Sequence, residues 1–364
     1  MTRLAVVSSA LGCVCLAFLS IAGTAWAAPC TAAASCTEWL AVDAGPARVL
    51  VYRSHALDAR NESITRALVV VHGAGRDAGN YFRHALAAAF LAGALDDTVV
   101  IAPRFASNDG GDCRDPLGPS ELRWACPAGP DSWRVGGAAV SDGKVTAFDV
   151  ADELLGKVAR KEVFPNLRAI VVAGHSAGGQ FVNRYQMAGQ VHDALGVPVA
   201  YIVANPSSYA YVDALRPTPS ALPPTVAAAA PGYHPPAAAN PAPPFAPFPD
   251  ARNCTAYDSW PYGLGRRTGY SARIADAQLK KQLVTRPTTY LLGQLDILPL
   301  YRFDVSCPAM AQGPTRLARG LAYGKYVSEQ YGAQHKTVVV PACGHSARCM
   351  FTAELALPLL FPKP

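Results

Sequence analysis

The sequence predicts an α/β fold, a mostly parallel central sheet with helices on both faces. Three observations carry this reading. Short continuous apolar runs, most of them β-branched, recur at residues 67–71, 98–102, 169–173, 199–204 and 289–292. A run that is apolar on both faces is what a buried parallel strand needs. Segments with helical spacing separate most of these runs, and strands that alternate with helices give a sheet covered on both sides. Hydrophobic residues make up 51% of the 364 positions and charged residues 16%, enough apolar surface for a large core and too much for a disordered chain.

Taken in order, residues 49–52 form a short early strand, and 67–71 the first buried one, ending at His72-Gly73. The Ala-rich stretch 79–91 is helical, and 98–102 is a strand closed by Pro103. Residues 106–143 carry Gly, Pro, Asp, Asn and two cysteines, and read as a long loop. A helix is expected over 145–163, with Phe148, Ala151, Leu155 and Val158 on one face. Strand 169–173, helix 177–188, strands 199–204 and 289–292, helix 316–331, strand 337–340 and a last helix over 352–360 follow. Residues 216–249 break this rhythm, since twelve of them are proline and ten alanine. That composition sustains neither a regular helix nor a central strand, and reads as polyproline II or irregular loop. It is either a lid over a site or a surface insertion. Phe245, Phe248, Tyr257, Trp260 and Tyr262 near its end are candidates for an apolar wall over that site.

Residues 1–27 read as an export signal. Arg3 is their one charge, 4–21 is apolar apart from Ser and Gly, and Ala25-Trp26-Ala27 supplies the small-x-small pattern of a cleavage site. No later stretch offers about 18 uninterrupted apolar residues, so no stable membrane insertion is expected after cleavage. A secreted or periplasmic protein follows. Eight cysteines remain beyond the signal, and an even count in an exported chain reads as disulfides. Their connectivity is open, and pairing of neighbours gives Cys30–Cys36, Cys113–Cys126, Cys254–Cys307 and Cys343–Cys349. The formal charge is +6, but the longest basic runs are pairs, so no nucleic-acid partner is expected. The eight histidines are scattered, with no HExxH or CxxC arrangement, so no metal is expected, nor any other cofactor.

The chemistry concentrates at Gly174-His175-Ser176-Ala177-Gly178, a G-x-S-x-G pattern between a buried strand and a helix. Such a turn strains the backbone at the serine and admits only small residues two positions to either side. Gly344-His345-Ser346-Ala347 repeats four of those letters, but Arg348 then stands where a glycine is needed. Too little chain follows Ser346 to deliver an acid and a base. Ser176 is therefore the candidate nucleophile and His345 the candidate base. The acid is expected in the turn after strand 289–292, at Asp296, with Asp304 as the runner-up. Two backbone N–H groups should stabilise an oxyanion. One belongs to Ala177, the other to the loop after strand 67–71, at Ala74 or alternatively Gly75. His72 reads as a structural residue of that loop.

Val69-Val70-Val71-His72-Gly73, the run from Gly174 to Gly179, Leu292-Gly293-Gln294-Leu295-Asp296 and the late Gly344-His345 together resemble the α/β-hydrolase superfamily. The resemblance extends over about residues 48–362. Exported members with such a loop include feruloyl esterases, acetyl xylan esterases and polyhydroxyalkanoate depolymerases. It implies an α/β-hydrolase fold, one domain over 28–364 with 207–285 as a cap or insertion. It also implies a Ser-Asp-His hydrolase of carboxylic esters, small or polymeric. A peptidase or amidase with the same triad is the first alternative. A non-catalytic binding protein on the same scaffold is the second.

Overall fold

The computed structural model describes residues 1, 28–42, 45–126, 128–218 and 244–363. The export signal, Met1 aside, and residues 219–243 of the Pro/Ala-rich stretch lie outside them. In chain order the elements are β1 (Thr37–Ala41), β2 (Arg48–Arg53), β3 (Arg66–Val71), α1 (Ala78–Leu91), β4 (Thr98–Pro103), α2 (Ala147–Val158), β5 (Ala169–His175), α3 (Ala177–Ala188) and β6 (Val199–Ala204). The short pair β7 (Leu215–Pro217) and β8 (Phe245–Pro247) follows, then α4 (Asp276–Thr285), β9 (Thr288–Gly293), α5 (Cys307–Met310), α6 (Arg316–Tyr331), β10 (Lys336–Val340), α7 (Ala347–Thr352) and α8 (Leu357–Leu360).

Among the described residues, eight strands form one sheet in the order β1-β2-β4-β3-β5-β6-β9-β10. β2 runs antiparallel to both neighbours, and every pair from β4 to β10 is parallel. Every residue of β4 and β9 is buried, as the continuous apolar runs require. Successive side chains of a strand point to opposite faces, and the core divides accordingly. Val69, Val71, Ile170, Val172, Tyr201, Val203, Tyr290 and Leu292 pack with α2, α3 and α6 through Phe148, Phe181, Tyr185 and Tyr323. Leu68, Val70, Val171, Ala173, Ile202, Ala204 and Leu291 face the other way, onto Phe82, Met350 and Phe351 of α1 and α7.

The parallel register brings the ends of five strands level. Val71 lies beside Gly174, His175 beside Ala204, and Gly293 beside Val340. The loops that follow β3, β5, β9 and β10, and Asn205 directly after β6, therefore emerge at one edge. That edge is where open α/β sheets bind ligands.

Several elements differ from the sequence reading, which did not place β7, β8, α4 or α5. α2 starts later and stops at Val158 rather than residue 163. Thr146 caps its start: the Thr146 hydroxyl accepts from the Asp149 N–H at 3.2 Å, and the Asp149 carboxylate accepts from the Thr146 N–H at 2.8 Å. After Val158 the chain turns to bury Val163 and Phe164, and Arg160 donates to the Leu57 carbonyl at 2.6 Å. The last helix is two pieces, α7 and α8, with Ala353 extended between them at φ −67°, ψ 138°. Pro358, in the first turn of α8, has no N–H to continue a helix and its ring would strike the carbonyl four residues back. β1 was not expected. It is an edge strand whose Trp39 lies under the Arg48 guanidinium, 4.2 Å from ring to cation.

All four expected cysteine pairs are brought together. Their Cα–Cα separations are 5.6 Å for Cys30–Cys36, 6.0 Å for Cys113–Cys126, 5.8 Å for Cys254–Cys307 and 5.8 Å for Cys343–Cys349, within disulfide range. Among the described residues no helix is long and apolar enough to cross a membrane.

Candidate active site

Ser176 sits between the last residue of β5 and the first of α3, at φ +60°, ψ −119°. A non-glycine residue at positive φ is strained. The Ser176 N–H donates to the Ala204 carbonyl, and the Ser176 carbonyl accepts from the Gln180 N–H, each at 3.0 Å, which pins the turn. The flanking glycines are required by close approach. A β-carbon on Gly174 would stand 2.2 Å from the Gly178 carbonyl oxygen, and one on Gly178 would stand 2.1 Å from that of Val71. The turn thus presses directly against the end of β3.

His345 and Asp296 complete a hydrogen-bonded line. His345 Nε2 is 2.9 Å from Ser176 Oγ, and His345 Nδ1 is 2.7 Å from Asp296 Oδ2. The carboxylate can only accept, so Nδ1 carries the proton and Nε2 is left to accept from the serine hydroxyl. Asp296 is 2% exposed. Its loop and that of His345 are stitched together. The Leu295 N–H donates to the Cys343 carbonyl at 2.8 Å, and the Ala342 N–H to Gln294 Oε1 at 3.0 Å.

The competing sequence candidates lie elsewhere. Asp304 accepts from the Tyr262 hydroxyl at 2.8 Å and from the Ser306 N–H at 3.0 Å. Ser346 caps α7, accepting from the Cys349 N–H at 3.4 Å. His72 is buried, and its Nε2 accepts from the Phe105 N–H at 3.0 Å while Nδ1 donates to the Gly73 carbonyl at 2.9 Å. Burial pushes its pKa down to about 4, so it is a neutral brace of the loop that carries Ala74.

Two cavities meet at Ser176. One of about 530 Å³ is lined by Ala74, Arg134, Ser176, Ala177, Tyr262 and Arg302, among others. The other, about 360 Å³, is lined by Gly73, Ala74, Gly75, Ser176, Tyr301 and His345, among others. Of the aromatic wall expected from the Pro-rich segment, Tyr262 reaches the larger cavity. Phe245 and Trp260 are buried in the core instead, Phe245 against Tyr326 at 5.6 Å, and Phe248 packs on Tyr257 at 5.5 Å.

A family model described as "Alpha/beta hydrolase family" matches residues 68–355. The chain belongs to the alpha/beta hydrolase family. Strands β4 to β10 and the elbow at Ser176 lie within the matched span, and β1 and β2 precede it. Among solved structures, the hydrolase is similar to LpqC, a poly(3-hydroxybutyrate) depolymerase from Bordetella parapertussis, with 20% identity, 89% of each chain covered and a TM-score of 0.56. It is also similar to poly(aspartic acid) hydrolase-1 from Sphingomonas sp. KT-1, with 21% identity, 89% of this chain and 97% of that one covered, and a TM-score of 0.57. At these identities the likeness is one of fold. No curated protein matches the hydrolase in sequence.

Four residues of the hydrolase's site escaped sequence reasoning. Arg316, 1% exposed, approaches Asp296 Oδ1 to 3.4 Å and donates to Ser207 Oγ at 3.0 Å and to the Leu300 and Tyr301 carbonyls at 2.9 Å. Burial pushes its pKa down, and Asp296 offsets only part of that. Asn205 accepts from the Gly293 N–H at 2.8 Å and donates to the Gly344 carbonyl at 3.4 Å, tying the acid loop to the base loop. His175 is buried with its ring 4.6 Å from that of His345, and Tyr301 stacks on His345 at 5.9 Å. Burial drives the His175 pKa well below its usual range, with His345 and Arg316 adding to the effect. His175 is therefore neutral. Asn205 could have been found, because it directly follows a strand beside the elbow strand. Nothing in the local pattern around Arg316 or Tyr301 marks them.

Proposed function

We propose that this hydrolase cleaves carboxylic esters through a covalent acyl-enzyme, with Ser176 as nucleophile, His345 as base and Asp296 as the group that orients His345. The observation that carries this reading is the line Ser176–His345–Asp296, at 2.9 Å and 2.7 Å, with Ser176 at the mouth of two cavities. The serine oxygen attacks the ester carbonyl carbon as His345 Nε2 takes its proton. The carbonyl oxygen becomes an oxyanion, for which two backbone donors stand near. Ala177 is the first residue of α3, so its N–H has no acceptor within the helix. Ala74 lines both cavities beside Ser176. Collapse of the intermediate breaks the bond to the alcohol, which leaves with the proton from His345. Water then attacks the acyl-enzyme by the same route in reverse and releases the acid. Asp296 holds the imidazole tautomer and stabilises the imidazolium throughout.

The two cavities fit the two sides of one scissile bond, acyl and alcohol. An ester needs least of such a site, because an alkoxide is a better leaving group than an amine anion. Labelling by a fluorophosphonate probe, lost in Ser176→Ala, tests the nucleophile. Rates on p-nitrophenyl esters and on peptide anilides test the bond, and comparable kcat/KM on both would favour the amidase reading. The same proposal has residues 1–27 removed on export, the cysteine pairs disulfide-bonded in the mature protein, and 207–285 as an insertion beside the site. Tyr262 on the larger cavity supports that last part. The mass of the mature N-terminus checks the cleavage.

A further inference from the structure

The larger cavity beside Ser176 holds a buried cation that has no anionic partner among the described residues. Arg134 lies in the 3₁₀ turn Trp133–Val135, is 9% exposed and lines this cavity together with Ser176, Ala177 and Gln180. Its Nε is buried with no hydrogen-bond partner, and its guanidinium forms no ion pair among the described residues. Other buried arginines are anchored. Arg76 binds Asp115 at 2.6 Å, Arg184 donates to the Pro261 carbonyl at 2.7 Å, Arg316 to Ser207 Oγ at 3.0 Å and Arg319 to the Gly313 carbonyl at 2.8 Å. Arg134 rests near the Trp133 ring, 5.8 Å from its centre, and otherwise opens to the cavity.

A second cation, Arg302, lines the same cavity and is bonded to Asp112 at 2.6 Å at the surface. Asp304 is the one carboxylate among the described lining residues, and its oxygens already accept from Tyr262 and Ser306. Burial, helped by Arg302 and Arg76, pushes the Arg134 pKa down to about 10, which leaves it charged at neutral pH. A buried charge without a partner is costly in the free protein, and a ligand anion that reaches it recovers that cost. The guanidinium fork matches the two oxygens of a carboxylate. The rest of the lining, with Ala74, Phe303 and Val305, suits an organic acid with an apolar body better than a dianionic phosphate, which would need more donors.

We propose that the cavity beside Ser176 selects esters that carry a carboxylate, with Arg134 as its partner and Arg302 adding attraction from the rim. This deepens the ester-hydrolase reading and rests on it for the reaction, though not for the binding. The binding is tested first, in Ser176→Ala, by calorimetry with monomethyl adipate against neutral dimethyl adipate. The expected result is tighter binding of the carboxylate by about 10- to 100-fold, the range of a charge-assisted hydrogen bond, and loss of that preference on adding Arg134→Gln. Arg134→Lys, which keeps the charge but not the fork, should retain part of it and serves if Arg134→Gln does not fold. Hydrolysis follows, with monophenyl adipate against phenyl hexanoate for an anion on the acyl side. 4-Acetoxybenzoate against 4-methylphenyl acetate tests the alcohol side. A preference of the same size in one of the two pairs supports the proposal and assigns the side. Equal binding of charged and neutral adipates, or a preference unchanged in Arg134→Gln, overturns it. If charged ligand binds but no ester is cleaved, the anion site stands and the ester reading falls. If esters are cleaved with no charge preference, the ester reading stands and the anion site falls.

Discussion

At the scale of single residues, the proposed mechanism depends on three side chains that hold one another. Ser176→Ala should lower kcat by about 10⁶-fold, because nucleophile and base act as a unit. Esterase assay of the purified variant checks this, and residual labelling at Ser346 would redirect the assignment. Asp296→Asn should lower kcat by about 10⁴-fold by leaving His345 in the wrong tautomer. Asp304→Asn should cost far less, since Asp304 bonds Tyr262 and Ser306 and not His345. Steady-state kinetics on both variants, with circular dichroism to show that they fold, decides between the two carboxylates. Asp296 was reached from the sequence by its place after a strand and a glycine. Arg316, 20 residues further on and against the same carboxylate, was not, because no spacing rule joins a helix start to a strand end.

At the scale of elements, the site is a set of strand ends tied together. The Cys343–Cys349 pair brackets His345, and the Cys343 carbonyl accepts from the Leu295 N–H at 2.8 Å. The bridge closes a six-residue separation, so its effect through chain entropy is modest compared with a longer loop. Its larger effect is on where the imidazole stands. The Cys343→Ser/Cys349→Ser double variant should lose activity several-fold while its Tm moves by only a few degrees. Thermal unfolding and kcat measured on the same preparation test this, and an unchanged kcat would remove the positioning role. The elbow is a second such element. The Pro-rich segment is a third, and the described residues show its two ends joined. β7 pairs with β8, and the Thr218 N–H donates to the Pro244 carbonyl at 2.9 Å. Replacing 219–243 by a short Gly/Ser linker should therefore leave a folded protein. Its rate on p-nitrophenyl acetate should stay within a few-fold of the parent, because Tyr262, the ring that reaches the cavity, lies outside the replaced stretch.

At the scale of the whole molecule, buried neutral histidines couple stability to pH. His72 has its pKa pushed by burial from 6.5 down to about 4, and His335 likewise. The folded state therefore favours the neutral ring. Above pH 6.5 both states are neutral and the full stability is present. As pH falls from 6.5 towards 4 the unfolded chain takes up protons first, so stability drops, and near 4 the loss levels off as the folded state is protonated too. For fully buried His72 the loss is about 3 kcal/mol. Urea midpoints at pH 7.5, 5.5 and 4.5 should fall in that order. His72→Gln, whose amide oxygen can still accept from Phe105, should flatten the decline, and an unchanged slope would place its source elsewhere.

The sequence alone determined what depends on neighbours along the chain. Apolar β-branched runs marked the buried strands, because a strand covered on both faces leaves few positions for a polar side chain. Gly174 and Gly178 marked the elbow by their spacing, although the turn itself excludes a β-carbon only at Gly174, and at Gly178 the end of β3 does. Pairing neighbouring cysteines, one of many connectivities open to the sequence, agrees with the four pairs the fold brings within disulfide distance. The tertiary structure decided what depends on residues brought together from far apart. It ended α2 at Val158, where burying Val163 and Phe164 outweighs another helical turn. It withdrew Phe245 and Trp260 into the core, where they found apolar contact. It set Arg316 against Asp296 and left Arg134 without an ion pair among the described residues in the cavity beside Ser176. Those outcomes follow from the parallel register that levels the strand ends, since burial and charge pairing act through space and leave little trace in local order.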